Sequence, residues 1–141
     1  MPSNPSNLLA LDVGTVRIGV ALASSIVRLA HPLITLPSDK NFTESLLQII
    51  KDEAVGTLIV GLPRGLDGQE TSQTELVRQF TAVMQSKVNL PVYFQDEALT
   101  SQKAKQELEA RGKPYQKHEV DALAATYILE DYLKENEVTN V

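Results

Sequence analysis

The sequence contains no cysteine, which excludes disulfides and thiolate-ligated metal sites. Only two histidines occur among its 141 residues, too few for a histidine-rich zinc site. Its apolar runs fall well short of the roughly 20 residues that a helix needs to cross a bilayer, so no membrane partner is expected. The opening Met1-Pro2-Ser3-Asn4-Pro5-Ser6-Asn7 has neither the basic start nor the apolar stretch of a secretory signal. Residues 1–7 read as a disordered tail, and a cytoplasmic location follows by default. Repeats, low-complexity tracts and an interdomain linker are missing as well. A net charge of −5 speaks against a whole-surface basic footprint for nucleic acid. It leaves room for a local basic rim around an acidic centre.

What is present is ordinary in bulk and specific in pattern. The 43% hydrophobic and 22% charged residues suit one globular domain, taken to span residues 8–135 with a frayed tail over 136–141. Leu8–Val13 and Ile18–Ala23 are apolar runs bounded by glycine, the mark of strands buried on both faces. Ala30–Leu36 predicts a third strand, and Pro32 within it points to a sheet edge. Asn41 with Glu44 resembles a capping box opening a helix with Phe42, Leu46, Ile49 and Ile50 on one face. Thr57–Leu62 predicts a strand, followed by a helix carrying Leu76, Val77, Phe80, Val83 and Met84. A fifth strand starts at Leu90 and ends at Gln95-Asp96-Glu97. A helix from about Thr100 stops at Arg111-Gly112, and a last one runs from about Lys117 to Lys134. Three strands followed by strand–helix alternation imply an α/β fold, a mixed five-stranded sheet with helices on both faces.

In such sheets, sites gather at the carboxyl ends of the parallel strands. Asp12 ends the first strand, and Asp96 and Glu97 end the fifth. By itself Asp12 before Gly14 is also a turn residue, its carboxylate bonding the backbone beyond it. Asp121 shares a helical stripe with Ala124, Ala125, Ile128 and Tyr132, the side expected to lie against the sheet. An acid in a first helical turn also stabilises the helix dipole, but that does not explain a place on the apolar side. Three carboxylates converging without histidine or thiolate suit a hard cation such as Mg²⁺. One or two such ions serve phosphodiester cleavage by activating water and stabilising the leaving oxygen.

Four motifs in order then carry a resemblance. They are Asp12-Val13-Gly14-Thr15 with Arg17-Ile18-Gly19; Val60-Gly61-Leu62-Pro63 with Asp67-Gly68; Asp96-Glu97-Ala98-Leu99-Thr100; and Val120-Asp121-Ala122-Leu123-Ala124-Ala125. Together they resemble the YqgF (RuvX-like) family of the ribonuclease H-like superfamily, over about Leu8 to Leu133. The resemblance implies a ribonuclease H-like fold and a Mg²⁺-dependent nuclease, with Mn²⁺ as a substitute. Asp12, Glu97 and Asp121 take the catalytic metal-ligand places, and Asp96 is a possible fourth acid. It implies maturation of the 5′ end of pre-16S rRNA, on the pre-ribosomal particle, by a monomer or homodimer. Holliday junction resolution is the second reading. Two departures stand out. The family usually has arginine where this chain has Ala98, and commonly lysine where it has Val16. Neither removes a carboxylate; both remove positive charge near a phosphate path.

Arg17, Arg64, Lys113, Lys117 and His118 are the candidates for binding nucleic-acid phosphate, contacts that supply affinity without sequence information. Each has a plain alternative: a surface charge, a partner for Asp67 in the case of Arg17, a solvated first-turn residue in the case of His118. The Gly61–Gly68 stretch lacks the Gly-Lys-Ser/Thr ending of a P-loop, so it reads either as a simple connection or as a phosphate contact. Two further functions compete. A catalytically weak RNA-binding ribosome-maturation or transcription factor would bind RNA in a salt-sensitive way without cleavage. A phosphotransferase of the actin-like class also opens on Asp-x-Gly-Thr, but its duplicated domain does not fit this length.

Overall fold

The computed structural model describes residues 7–97 and 100–137. Its elements are β1 (Asn7–Val13), β2 (Arg17–Ser24), β3 (His31–Pro37), α1 (Phe42–Asp52), β4 (Val55–Pro63), α2 (Ser72–Gln85), β5 (Val92–Glu97), α3 (Thr100–Ala110) and α4 (Lys117–Glu135). The strands form one sheet in the order β3-β2-β1-β4-β5. β1–β2 and β2–β3 are antiparallel, while β1–β4 and β4–β5 are parallel. The carboxyl ends of β1, β4 and β5 therefore share one edge, and Pro32 does lie on an edge strand. Among the described residues no helix is long and apolar enough to cross a membrane.

Strand alternation sorts the side chains into two cores. Leu9, Leu11, Ile18, Val20, Leu58 and Val60 face α1 and α2, meeting Phe42, Leu46, Val77 and Met84. Leu8, Ala10, Ala21, Ala23 and Ile59 face α4, under Ala125, Ile128, Leu129 and Leu133. Each fully buried leucine or isoleucine here contributes about 1.5–3 kcal/mol. Gly19, Ala21 and Ala23 form a row of small residues on β2, which lets α4 lie close to the sheet. α3 is outermost, packing Ala104 and Leu108 on Val120, Leu123 and Ala124 of α4.

Several expectations change. Residues 1–6 and 138–141, from the two expected tails, lie outside the described residues, but Asn7 does not belong with them. It opens β1, and its Nδ2 donates to the Glu53 carbonyl at 2.6 Å. Asn136 is likewise held, its N–H donating to the Tyr132 carbonyl at 3.0 Å. The Asn41 capping box does not form: Asn41 is already helical (φ −91°, ψ −5°) and its side chain makes no cap bond. Capping boxes occur instead at Thr71 with Thr74 and at Gln116 with Glu119. In α2 the buried stripe is Thr74, Val77, Thr81 and Met84, leaving Leu76 and Val83 exposed. Arg28 donates to the Leu133 and Asn136 carbonyls at the end of α4.

Thr74 ties the start of α2 to the end of β4. Its buried hydroxyl donates to the Pro63 carbonyl and accepts from the Thr71 N–H. Thr74→Val takes this hydroxyl from both partners, which are only partly buried, and a loss of about 1 kcal/mol in urea unfolding is expected. A loss below about 0.5 kcal/mol would mean that water satisfies both groups.

Candidate active site

The β1–β2 turn is closed by the Gly14 N–H donating to the Arg17 carbonyl at 3.0 Å. A Cβ on Gly14 would stand 2.6 Å from that carbonyl oxygen, so this turn requires glycine. Gly19 has a different task. It lies within β2, directly across from Asp12. A Cβ there would fall 1.9 Å from the Asp121 carbonyl oxygen. The missing side chain is the space into which the first turns of α4 descend.

Gly61 does the same for Glu97. A Cβ at Gly61 would meet Ile128 Cδ1 at 2.5 Å and Glu97 Oε2 at 3.1 Å. Asp12 follows the parity of Leu8 and Ala10, and Glu97 that of Tyr93 and Gln95. Tyr93 stacks on Tyr132 of α4 with ring centroids 6.3 Å apart, and Gln95 donates to Glu135 at 2.9 Å. Asp12, Glu97 and Asp121 thus lie on one side of the sheet, at the edge where β1 and β5 end.

The electrostatics follow from that crowding. Withdrawal from water pushes the Asp12 carboxyl well above the usual carboxylate range. Charge repulsion from Glu97, a hydrogen bond between the Asp12 and Glu97 carboxyls and repulsion from Asp121 add to the shift. Two carboxyls joined in this way need a proton or a cation between them. Asp121 is turned elsewhere, accepting from Arg17 Nε at 2.5 Å. Among the described residues no three acidic or histidine side chains enclose a cation as they stand. The donor set nevertheless fits a hard divalent ion, because Asp12, Glu97 and Asp121 all present carboxylate oxygens. Arg17 engages Oδ2, one of the two oxygens that Asp121 could bring to such a set.

Asp96 is not brought to this cluster. It follows the parity of Phe94, beneath Arg78 of α2 on the other face, and pairs with Arg64 Nε at 3.1 Å. Adjacent residues in a strand point to opposite faces, so Asp96 and Glu97 cannot serve one site together. Arg64 goes with it, and the loop around it closes on itself through Gly65 N–H to Gln69 and Gly68 N–H to Gly65. Arg17 pairs with Asp121 and not with Asp67. Lys113, Lys117 and His118 are exposed on the loop before α4 and in its first turn. Val16 is exposed at the β1–β2 turn, while Ala98 and Leu99 lie outside the described residues.

The Arg17–Asp121 pair and the clearances at Gly19 and Gly61 are absent from the sequence reading. Gly61 and Gly19 sit inside apolar runs, where glycine signals a close approach, and that signal was available. The Arg17–Asp121 pair is only partly buried, with side-chain exposures of 37% and 19%, so Arg17→Ala should cost no more than about 1 kcal/mol in thermal unfolding.

Comparison with known proteins gives a consistent picture. Residues 6–135 match the family described as "RuvX: Holliday junction resolvase". A protein of Roseiflexus sp. (strain RS-1), named "Putative pre-16S rRNA nuclease", is 38% identical over 137 residues, covering 94% of this chain and 97% of its own length. A protein of the same name from Haemophilus ducreyi is 36% identical, covering 93% and 98%. Among solved structures, Thermus thermophilus RuvC in complex with a Holliday junction superposes with a TM-score of 0.58 at 16% identity, covering 96% of this chain and 99% of that one. Fowlpox virus resolvase with Holliday junction DNA gives 0.54 at 13% identity, covering 92% and 97%. At such identities these structures speak for the ribonuclease H-like fold alone.

Proposed function

This chain belongs to the RuvX family, and on that premise we propose that it is a divalent-cation-dependent endonuclease that trims the 5′ end of pre-16S rRNA. The observation that carries the reading is the convergence of Asp12, Glu97 and Asp121 on one face of one sheet edge, with Asp12 held above its usual pKa. Asp12 and Glu97 would hold the ion, joined by Asp121. The ion would polarise the scissile phosphodiester and acidify the attacking water.

The chain's own residues do the rest. Arg17 offers a planar, permanently charged donor to a phosphate oxygen. A phosphate that takes over the Arg17 donor frees the Asp121 carboxylate to turn toward Asp12. Glu97 is positioned for this by the space over Gly61. Lys113, Lys117 and His118 supply phosphate contacts along the strand, and Arg64, paired with Asp96, is left out. We place the reaction in the cytoplasm, on the pre-ribosomal particle, with Mg²⁺ as the ion and Mn²⁺ as its substitute.

Side-by-side incubation of a 5′-extended 16S precursor RNA and a four-way DNA junction tests the substrate. Cleavage of the RNA in Mg²⁺, absent in EDTA and weaker on the junction, is the expected result. Junction cleavage with intact RNA would assign the chain to recombination instead. Salt-sensitive RNA binding without any cleavage would reduce it to a binding factor. With the RNA substrate, Arg17→Ala should raise KM about tenfold, the order of one lost charge-assisted contact. A wild-type KM would remove Arg17 from the phosphate path.

A further inference from the structure

Beside the carboxylates lies a second feature, which shares His118 and its basic neighbours with the scheme above. A groove of about 310 Å³ runs between β3 and the α3–α4 pair, lined among others by Leu33, Thr35, Leu108, Arg111, His118 and Ala122. The β3 wall coincides with an irregularity in the β2–β3 ladder: Val20 pairs with Ile34 and Ala21 with Pro32, leaving Leu33 unpaired. The opposite wall is fixed by the Thr35 hydroxyl, which donates to the His118 carbonyl at 2.6 Å.

Its position relative to the acids can be read from the sheet. Asp12 is opposite Gly19, and Gly19 is opposite Thr35. Two strand spacings make about 10 Å from Asp12 to Thr35. That is the rise of roughly three stacked nucleotides, and of fewer when the strand is splayed. The surroundings carry the matching charge. Residues 111–118 hold Arg111, Lys113, Lys117 and His118 and no acid, in a chain of net −5; Arg111 is paired with Glu107 of α3 at 2.7 Å, so the rim's charge comes from Lys113 and Lys117, with His118 beside them. The acid at the rim, Glu119, is engaged at its own helix start, accepting from the Gln116 N–H at 2.6 Å.

An apolar slot with a basic rim, about 10 Å from the proposed cleavage site, suits a flat aromatic base whose backbone stays outside. We propose that this groove receives one unpaired nucleobase of the substrate strand, within about three nucleotides of the scissile phosphate, and so sets where the strand is cut. The proposal rests on the nuclease reading above. Base and backbone are divided between apolar wall and basic rim, so the groove selects an unstacked nucleotide over a continuous duplex.

The test is an abasic scan. Single abasic nucleotides are placed in turn at each of the positions flanking the cut in the precursor RNA, and KM and cleavage position are measured with the unaltered protein. One position within about three nucleotides should raise KM about tenfold, as expected for the loss of one stacked base, and should blur the cut site. Ala122→Leu, which fills the groove, should raise KM on intact RNA and lose that extra sensitivity to the abasic position, its fold being checked by circular dichroism. Uniform KM across the scan, or the same abasic sensitivity in Ala122→Leu, overturns the proposal. So does a dimer in sedimentation that Ala122→Leu dissociates, since the occupant would then be a second copy of the chain. Absence of cleavage of both the unmodified RNA and the junction overturns the nuclease reading itself, and the groove's role with it.

Discussion

Asp12→Asn is expected to abolish cleavage and, without divalent cation, to make the protein more stable. The two effects share one cause. In the folded chain Asp12 keeps its proton at pH values where an unfolded chain has released it. The native state therefore binds more protons in that window, and stability falls as pH rises from about 4 through the raised folded value. Asparagine is nearly isosteric, carries no charge and can donate to Glu97, so the variant escapes the penalty. Thermal melts in EDTA from acid to neutral pH should show wild-type stability declining, with a flatter profile in Asp12→Asn. Cleavage should drop by at least about 10²–10³-fold, the scale of losing one preorganised electrostatic group. A variant less stable than wild type at neutral pH in EDTA would contradict the crowding of carboxylates. This is the pattern of a site kept strained for chemistry.

Gly19→Ala should be the most damaging single methyl in the protein. Its Cβ would stand 1.9 Å from the Asp121 carbonyl oxygen, 2.3 Å from its carbonyl carbon and 2.9 Å from the Ala122 nitrogen. All three are backbone atoms of a helix packed across the sheet, so no side chain can swing aside. Overpacking of this kind costs about 3 kcal/mol, or roughly 10 °C in Tm for a domain of this size. Activity should fall further than stability, because the helix that moves carries Asp121. Gly68→Ala is the useful contrast. Gly68 has φ +80° with nothing within 4 Å of the added carbon, so its cost is backbone strain of about 1 kcal/mol with cleavage little changed. Equal losses in the two variants would show that α4 does not rest on β2 as described.

The element order was legible because the strands are short apolar runs ended by glycine, serine, proline or acid. The carboxyl-edge placement of Asp12 and Glu97 followed from that order and the parallel pairing of β1, β4 and β5. Asp121 was legible through helical spacing. Asp96, a possible fourth acid by the resemblance, falls on the face opposite Glu97, as strand alternation alone places it. The Asn41 cap failed because a capping motif fits wherever Asn precedes Glu by three, and here the helix had already begun. The Arg17–Asp121 contact joins residues 104 apart in the chain and depends on how deeply α4 sinks over Gly19, a tertiary distance that no local pattern encodes. The groove depends on the ladder slip at Leu33, equally invisible before strands are paired.

Direct titration of Mn²⁺ into the purified protein at neutral pH addresses the acid cluster without reference to any substrate. If Asp12 and Glu97 hold the ion, the wild-type protein binds Mn²⁺, Asp12→Asn and Glu97→Gln bind at least about tenfold more weakly, and Asp96→Asn binds as wild type does. Wild-type Mn²⁺ affinity in Asp12→Asn and Glu97→Gln would contradict a cation site at this edge of the sheet.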